Sequence, residues 1–491
     1  MPKPVAQKGA AGTGTVDSGL PGKDKLASRM ARAIEDEVIA AGWPVGSIIG
    51  SENDLIERYR VSRAVSREAI RLVEHHQVAV MRRGRSGGLQ VIEPSAEAAA
   101  GAAVVYLEYR GTTVEDFLRV RSLLEPLAAA EAAKHISEAG IPKLRAAAEE
   151  TEAPSAGQVP AAPGNLHISL AELSGNPALQ LFVEVLARLT DRYAQVRRAT
   201  KTDRAAAAHE VDRAHRAIAD AVVAGDAAIA QHHMSVHLDA LGAWFADTGR
   251  RIVTGRPLSA AARSAKGHKL AEIIAEEIRA DIVRGRWEVG TVIDSENGLV
   301  ERYDVSRAAI REAVRLLEHH SIAWMRRGPG GGLLVAQPDL DASVEAMALY
   351  LDYRGATAGD LLLVRKALEF GCVDIVASRA SEPEIRDRLE QALTVTPDTP
   401  AGDVNRLADE LHLTAAELTG NPVLVFLIRT ITSLWARHIA DEPTRPVPAE
   451  NAAEAITRAH SAIVEAVLAG DRSLARHRMT RHLDALSIWW H

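Results

Sequence analysis

The sequence has 491 residues, a length that predicts about three domains and excludes a single small module. Hydrophobic residues make up 47% of the chain and charged residues 25%, values typical of globular proteins, so wholesale disorder and fibrous architectures are excluded. The formal net charge of −7 excludes a uniformly basic coat for nucleic acid. Residues 58–85 nevertheless hold eight arginines and two glutamates, which predicts one local anion-binding face.

Cysteine content and the distribution of apolar residues indicate in which cellular compartment the protein resides. Cys372 is the only cysteine, so an intramolecular disulfide and a four-cysteine metal site are both excluded. No stretch is apolar over the length of a membrane span. Residues 1–22 lack the apolar segment of a signal peptide. We therefore expect a flexible tail at residues 1–22, no membrane partner and a reducing, cytoplasmic location.

Three helices are predicted in the first folded segment. Apolar residues recur at helical spacing over 26–39, and Ser51 followed by Asp54 indicates a capped second helix that ends near Tyr59. After a polar break, Ser62 caps a third helix. Arginines recur every four residues on one face of that helix, at Arg63, Arg67 and Arg71. The pattern is helix, turn, helix, with the arginines on the second helix of the motif.

A basic hairpin follows the arginine helix. The segments VAVMRR and LQVIE read as two strands around a glycine-rich turn at residues 84–88. Arg82, Arg83 and Arg85 lie near its tip, where they can reach phosphates or a minor groove. Arginines presented from the N-terminal end of a helix suit the major groove, because each can bond guanine O6 and N7. An arginine row can also be an ordinary solvated face, but cap, arginine helix and basic hairpin together favour DNA binding.

The whole arrangement occurs twice. The segment that begins at Val61 returns at Val305, and roughly half of the positions in 26–94 and 270–338 are identical. In the second copy, the glycine-rich residues 328–332 resemble a phosphate loop, but no P-loop lysine follows them and the hairpin explains them better. A period this long indicates duplicated domains, because solenoid repeats are about 20–50 residues long.

Each copy continues into long amphipathic helices rich in Ala and Leu. The predicted fold class is therefore mainly α, with two winged helix-turn-helix domains that are each followed by an all-helical bundle. The predicted domains are a tail at 1–22, winged helices at 23–95 and 267–339, helical domains at 96–247 and 340–491, and a linker at 248–266.

These segments resemble a known family. GSENDLIERYRVSRAVSREAIRLVEHHQVAVMRRGRSGGLQV and its second copy are similar to the DNA-binding domain of GntR-type bacterial transcriptional regulators. VRSLLEPLAAAEAA, LHISLAELSGNPAL and AHRAIADAVVAGDAAIAQHHMSVHL are similar to the all-helical effector-binding (FCD) domain of the FadR branch. The resemblance covers the chain apart from the tail and the linker.

The resemblance implies specific DNA contacts in both copies. The implied DNA-binding residues are Ser62, Arg63, Ser66, Arg67, Arg83, Gly84, Ser306, Arg307, Arg311, Arg327 and Gly328. Family members usually carry Pro-Ser-Glu-Arg at the start of the second helix, but Asn53 and Asn297 replace that arginine here. Ser66 matches Ile310, and Arg85 matches Pro329, so we expect an imperfectly symmetric operator.

Histidines recur with equal spacing in the two helical domains. The two sets are His167, His215 and His237, and His412, His460 and His482. Similar domains bind a divalent metal through three histidines and an aspartate four residues before the first. Pro163 and Ala408 occupy that position here, although Asp409 could substitute in the second copy. Three neutral imidazoles can bind zinc or nickel, whereas buried histidines can also be hydrogen-bonded core residues.

Arg121 and Arg365 match a position that faces the effector pocket in similar domains. A guanidinium beside a metal suits a metabolite that carries a carboxylate. Each arginine also precedes a glutamate by four residues, Glu125 and Glu369, so an ordinary pair within one helix is an equal alternative.

Together these features predict a non-enzymatic, ligand-responsive DNA-binding regulator, most simply a repressor, with two subunits' worth of domains in one chain. Its expected partners are double-stranded operator DNA and a small metabolite, and further homodimerisation stays open. Two alternatives remain: a metabolite-sensing scaffold that no longer reads DNA, and a zinc hydrolase built on three histidines.

Overall fold

The structure, a computed structural model, describes most of the chain. The described residues are 22–82, 84, 87–149, 164–194, 201–246, 268–285, 287–319, 321–326, 328, 330–396, 399–440 and 449–488. The following predicted features lie outside these ranges: the tail up to residue 21, the linker at 248–266, and residues Arg83, Arg85, Pro163, Arg327 and Pro329.

The described residues up to Glu93 form one compact unit of three helices and a small sheet. Its elements are α1 (Gly22–Ala40), β1 (Ile48–Gly50), α2 (Glu52–Tyr59), α3 (Arg63–His75), β2 (Ala79–Met81) and β3 (Leu89–Val91). The strands are antiparallel in the order β1-β3-β2. Strands β2 and β3 therefore pair as the two arms of a hairpin, as predicted for the wing.

Local caps begin α2 and α3 where the sequence predicts them. Ser51 Oγ accepts a hydrogen bond from the Asp54 amide, and the Asp54 carboxylate accepts one from the Ser51 amide at 2.8 Å, which completes a capping box. Ser62 Oγ accepts from the Val65 amide at 3.3 Å. Between the two helices Arg60 has a φ of 51°, the left-handed conformation that turns the chain sharply.

From Pro94 onward the chain forms a second compact unit. It begins with the helices α4 (Ala96–Tyr109), α5 (Val114–His135), α6 (Gly140–Glu149), α7 (Gly164–Leu173), α8 (Pro177–Ala194), α9 (Lys201–Val223) and α10 (Ala227–Ala246). The second winged helix follows with α11 (His268–Arg284), α12 (Glu296–Tyr303), α13 (Arg307–His319), β4 (Ala323–Arg326) and β5 (Gly332–Val335). The last helices are α14 (Leu340–Tyr353), α15 (Ala358–Ser378), α16 (Pro383–Gln391), α17 (Ala401–Leu418), α18 (Pro422–Ala440), α19 (Ala449–Leu468) and α20 (Arg472–Ile488).

The two helical bundles share one apolar core. Phe117 and Phe182 of the first bundle belong to the same cluster of buried side chains as Leu361 and Phe426 of the second. Apolar area removed from water contributes roughly 25 cal/mol per Å², so a core of this kind favours the joined arrangement of the bundles.

Two asparagines tie the bundles together by matching hydrogen bonds. Asn176 Nδ2 donates to the Asp360 carbonyl at 3.0 Å, and Asn421 Nδ2 donates to the Asp116 carbonyl at 2.9 Å. Each asparagine also uses its side-chain oxygen to accept from the first amides of α8 or α18. The halves therefore exchange equivalent contacts, the pattern of an interface with approximate two-fold symmetry.

Helix α4 of the first half packs against the second winged helix. Val105 lies in the apolar core of that domain together with Ile278 and Leu299. The ring of Tyr109 meets the ring of Trp287 edge-on, with centroids 6.1 Å apart. The second DNA-binding domain thus rests on a helix from the other half of the chain.

The predicted fold class is confirmed: helices dominate, and the described strands belong to the two small winged-helix sheets. Among the described residues, no helix combines the length and the apolar character needed to cross a bilayer.

Candidate functional site

The first arginine helix presents its charged residues to solvent. Arg63 and Arg67 are exposed at the start of α3, and Arg71 continues the row one turn later. Arg67 Nε lies 2.9 Å from Glu52 Oε1 of α2, although its side chain remains 65% exposed. An exposed pair of this kind contributes at most about 1 kcal/mol, so a DNA phosphate or base can displace Glu52 at little cost.

The second arginine helix repeats this surface. Arg307, Arg311 and Arg315 are exposed on α13, and Arg311 Nε lies 2.9 Å from Glu296 Oε1, as Arg67 does from Glu52. Arg307 Nη2 also donates to Asn297 Oδ1 at 2.7 Å. Asn297 stands where the family usually has arginine, so here the second helix orients a recognition-helix arginine.

The predicted DNA contact of Ser66 is wrong. Its side chain is fully buried, so it faces the core of the winged helix and cannot reach DNA in this conformation. Ile310 at the matching position is buried as well. One residue along a helix rotates a side chain by about 100°, so Ser66 faces inward although its neighbour Arg67 faces solvent. The difference between Ser66 and Ile310 therefore lies in the two cores and gives no reason for an asymmetric operator.

The wings turn at glycines with positive φ. Gly84 has a φ of 131° and Gly328 a φ of 101°, conformations that side-chain-bearing residues rarely adopt. Beside them, Arg82 Nε donates to Gln90 Oε1 at 3.2 Å, and Arg326 Nη2 donates to the Gly330 carbonyl at 2.7 Å. The predicted contacts Arg83 and Arg327 lie next to these turns, outside the described residues.

The first set of histidines converges inside the first bundle. His167 comes from α7, His215 from α9 and His237 from α10, and each side chain is at most 5% exposed. One ring nitrogen of each histidine lies within 4.8 Å of the corresponding nitrogens of the other two. Spacing in the sequence predicted this set, and the fold brings all three together.

The second set has the same arrangement in the second bundle. His412 comes from α17, His460 from α19 and His482 from α20. His482 Nε2 lies 3.2 Å from the Nε2 atoms of both His412 and His460. Two nitrogens bound to one tetrahedral zinc at about 2.0–2.1 Å lie roughly 3.3–3.4 Å apart, so this geometry fits a shared metal.

Burial keeps most of these imidazoles neutral. It lowers the pKa of His215 to about 2 and that of His237 to about 3. In the second bundle burial lowers the pKa of His460 to about 3 and that of His482 well below its usual range. Neutral imidazole is the form that ligates metal, so these four rings need lose no proton before binding.

A carboxylate orients the first histidine of each set. His167 Nδ1 lies 2.6 Å from Glu125 Oε2, and His412 Nδ1 lies 2.7 Å from Glu369 Oε1. A carboxylate on Nδ1 fixes the tautomer and leaves Nε2 as the ligating atom. From the sequence these glutamates were predicted only as arginine partners. Their nearly equal separation from the first histidine in the two copies, 42 and 43 residues, was the one available signal.

Arg121 and Arg365 neutralise those glutamates. Arg121 Nε and Nη2 lie 2.6 and 3.1 Å from the two oxygens of Glu125, and Arg365 Nε lies 3.2 Å from Glu369 Oε1. Burial alone raises the pKa of Glu125, but Arg121 and His167 outweigh it and bring the pKa to about 2. The pair within one helix that was an alternative is therefore present, and it forms part of the histidine site.

The two arginines differ in their remaining neighbours. Arg121 Nη1 donates to Thr190 Oγ1 of α8 at 3.0 Å. At the matching position Trp435 places its ring 5.4 Å below the Arg365 guanidinium, and Arg365 Nη2 lies 3.4 Å from Asp409 Oδ1. Asp409, expected as a substitute metal ligand, thus contacts the arginine, and the metal-compatible group consists of the three histidines.

Comparison with known families matches this architecture. The FCD domain matches residues 116–240 and 360–485, so the family model covers half of the chain. The family described as bacterial regulatory proteins, gntR family, matches residues 270–335.

Curated relatives and solved structures extend the comparison. HTH-type transcriptional regulator LutR of Bacillus subtilis (strain 168) is 28% identical over 207 residues, 41% of this chain and 92% of the relative. HTH-type transcriptional repressor NanR of Escherichia coli (strain K12) is 26% identical over 229 residues, 45% of this chain and 85% of the relative. A solved Streptococcus agalactiae GntR structure covers 44% of this chain and 98% of its own, at 19% identity and a TM-score of 0.32.

The predicted resemblance is confirmed by the two family models and the curated relatives. The arginine-bearing winged helix is the domain that binds operator DNA, and the helical FCD domain is the one that binds a small-molecule effector. The chain is a ligand-responsive DNA-binding transcription regulator that belongs to the GntR family of bacterial regulatory proteins and contains the FCD domain twice.

Proposed function

We propose that one chain acts as a complete two-headed repressor in the cytoplasm and that it is not an enzyme. The core shared by the two bundles and the reciprocal bonds of Asn176 and Asn421 support this proposal, because they build inside one chain the contact that two separate subunits would make. The proposed domains are the winged helices at 23–95 and 267–339, the effector domains at 96–247 and 340–491, and the connecting linker at 248–266.

The proposed DNA contacts come from the two winged-helix domains, which we call the first head (23–95) and the second head (267–339). Arg63 and Arg67 of one head, with Arg307 and Arg311 of the other, would enter successive major grooves, while Ser62 and Ser306 fix the helix N-termini near phosphate. The wings would add Arg83 with Gly84 and Arg327 with Gly328. Because the second head is tethered, its effective concentration rises once the first has bound.

The proposed effector site is the histidine set of each bundle. Zinc or nickel would be held by the three Nε2 atoms of one set and, when bound, would supply an open coordination position for a carboxylate ligand. Arg121 and Arg365 would balance charge beside it. Hydrolysis is disfavoured, because Glu125 and Glu369 contact the far nitrogen of a histidine and an arginine, so neither is placed to act as a base toward a metal-bound water.

The test is selection of genomic fragments by the purified full chain at physiological salt, followed by sedimentation of the complex. We expect one motif with two similar half-sites and one chain per motif. Recovery of no motif would overturn DNA reading, and two chains per motif would overturn the single-chain repressor.

A further inference from the structure

The connection between the first effector domain and the second DNA-binding domain is made by a buried ion network. Arg279 of α11 bonds Glu108 of α4, and both side chains are only 7% exposed. Glu108 also accepts two hydrogen bonds from Arg192 Nη1 of α8, at 3.0 and 2.9 Å. Bonds between fully ionised groups are about twice as strong as neutral ones, and burial shields them from salt.

The same stretch of α8 reaches the candidate effector site. Thr190, two residues before Arg192, accepts the hydrogen bond from Arg121, which in turn holds Glu125 against His167. A continuous chain of contacts therefore runs from the first histidine set through α8 and Glu108 to α11. A rearrangement of Arg121 on ligand binding would move α8 at the point where it holds Glu108.

The residues of this ion pair are not repeated at the matching positions of the sequence. In the repeat, Arg279 matches Glu35 and Glu108 matches Asp352, so both matching positions are acidic and lack the cation. Glu35 is fully buried within its own domain, where its Oε1 lies 2.6 Å from His76 Nδ1. The two heads therefore differ in whether their sequence encodes this ion pair with an effector domain.

We propose that the first effector domain controls the second DNA-binding domain through Glu108, and that this ion pair makes the two heads of the chain unequal in their response to ligand. The inference rests on the proposed function in assigning the first histidine set as the ligand site. It predicts a regulator in which the ligand bound in one half of the chain repositions the head that belongs to the other half.

Hydrogen exchange of the full chain, read by mass spectrometry, tests the proposal. In Glu108→Gln we expect amides of α11 to exchange about tenfold faster, because one anchor of a buried ion pair is lost, while α1 is unchanged. Asp352→Asn, the matched change in the second half, should leave α11 unchanged. Arg279→Met provides a second break of the same pair if Glu108→Gln folds poorly. Unaltered α11 exchange in both variants, or an equal effect of Asp352→Asn, would overturn the anchor.

Two perturbations of the site test the communication. Thr190→Val removes the bond from Arg121, and zinc alone loads the histidines; each should change α11 exchange in the parent chain and leave it unchanged in the Glu108→Gln background. Persistence of either change without Glu108 would refute the route. If zinc leaves α7, α9 and α10 unprotected while Thr190→Val still acts through Glu108, the metal proposal fails and the coupling stands.

Discussion

Between the two winged-helix domains, the recognition helices carry the same residues at every described exposed position. Arg63, Ala64 and Arg67 correspond to Arg307, Ala308 and Arg311. The positions that differ between the two helices, such as Ser66 in α3 and Ile310 in α13, are buried or partly buried and lie outside the exposed arginine face. We infer that the two heads prefer the same bases and that what has changed is the packing of their cores.

The two heads also differ in the charged residues that lie outside the recognition helix. Arg60 and Asp304 both have a φ of 51° in the turn between the two DNA-binding helices, with opposite charges in the same geometry. Residues 26–94 hold ten arginines and nine acidic residues, whereas 270–338 hold nine and eleven. The first head therefore has the stronger sequence-independent attraction to DNA. In our proposal the second head receives the ligand signal through Arg279.

The largest expected effect comes from removing the shared reading residue. Arg63→Ala with Arg307→Ala should cost about 2–6 kcal/mol of specific binding, because each bidentate base contact contributes about 1–3 kcal/mol. Fluorescence anisotropy on the selected operator measures it, with the exposed Arg386→Ala as control. If the two heads prefer the same bases, Arg63→Ala and Arg307→Ala should each lower the binding free energy by the same amount. A difference above about 1 kcal/mol between the two single variants would contradict this inference.

The next largest effect is expected from exchanging the buried residues at positions 66 and 310. Ile310→Ser should lower the free energy of unfolding of the second head by about 3 kcal/mol, through lost packing and a buried hydroxyl. Ser66→Ile should change the first by no more than about 1.5 kcal/mol in either direction, because it removes a buried hydroxyl but adds volume. Thermal unfolding gives the energies. Repeating the operator selection should return the same motif, and altered base preference would show that these positions do reach DNA.

The two histidine sites can be compared through their glutamates. Glu125→Gln and Glu369→Gln should each lower zinc affinity about 10- to 100-fold in their own bundle, because the carboxylate no longer orients the histidine. Titration against a competing chelator separates the two sites. Glu131→Gln, whose partner is Lys134 at 2.7 Å, is the control and should leave zinc affinity unchanged. Undiminished affinity in both test variants would remove the glutamates from the site.

The smallest effect concerns the turn. Asp304→Arg should strengthen binding by under about 1 kcal/mol and steepen the dependence of affinity on salt by about one phosphate contact, since it adds a cation near the backbone. Arg60→Asp should do the reverse in the first head. Affinity measured across a salt series checks both, and parallel salt slopes in all three proteins would place this turn away from the DNA backbone.

The helices, the strands and the duplication can be predicted from local patterns in the sequence. Helix starts at Ser51 and Ser62 depend on hydrogen bonds that span three residues, so their chemistry is complete within a short window. The arginine face of α3 follows from helical periodicity in the same way. The histidine sets were found because a repeat shows the same spacing twice, which one copy alone would not have distinguished from buried core histidines.

Which side chains contact one another depends on how the helices pack. Whether Ser66 faces core or solvent depends on the helices that pack against α3, and these lie outside its own periodicity. Glu125 reaches His167 because α5 packs against α7. Arg279 reaches Glu108 across 171 residues because α11 rests on the opposite half of the chain. Such contacts depend on the distance between helix surfaces, which packing of the shared core establishes and which no local pattern in the chain encodes.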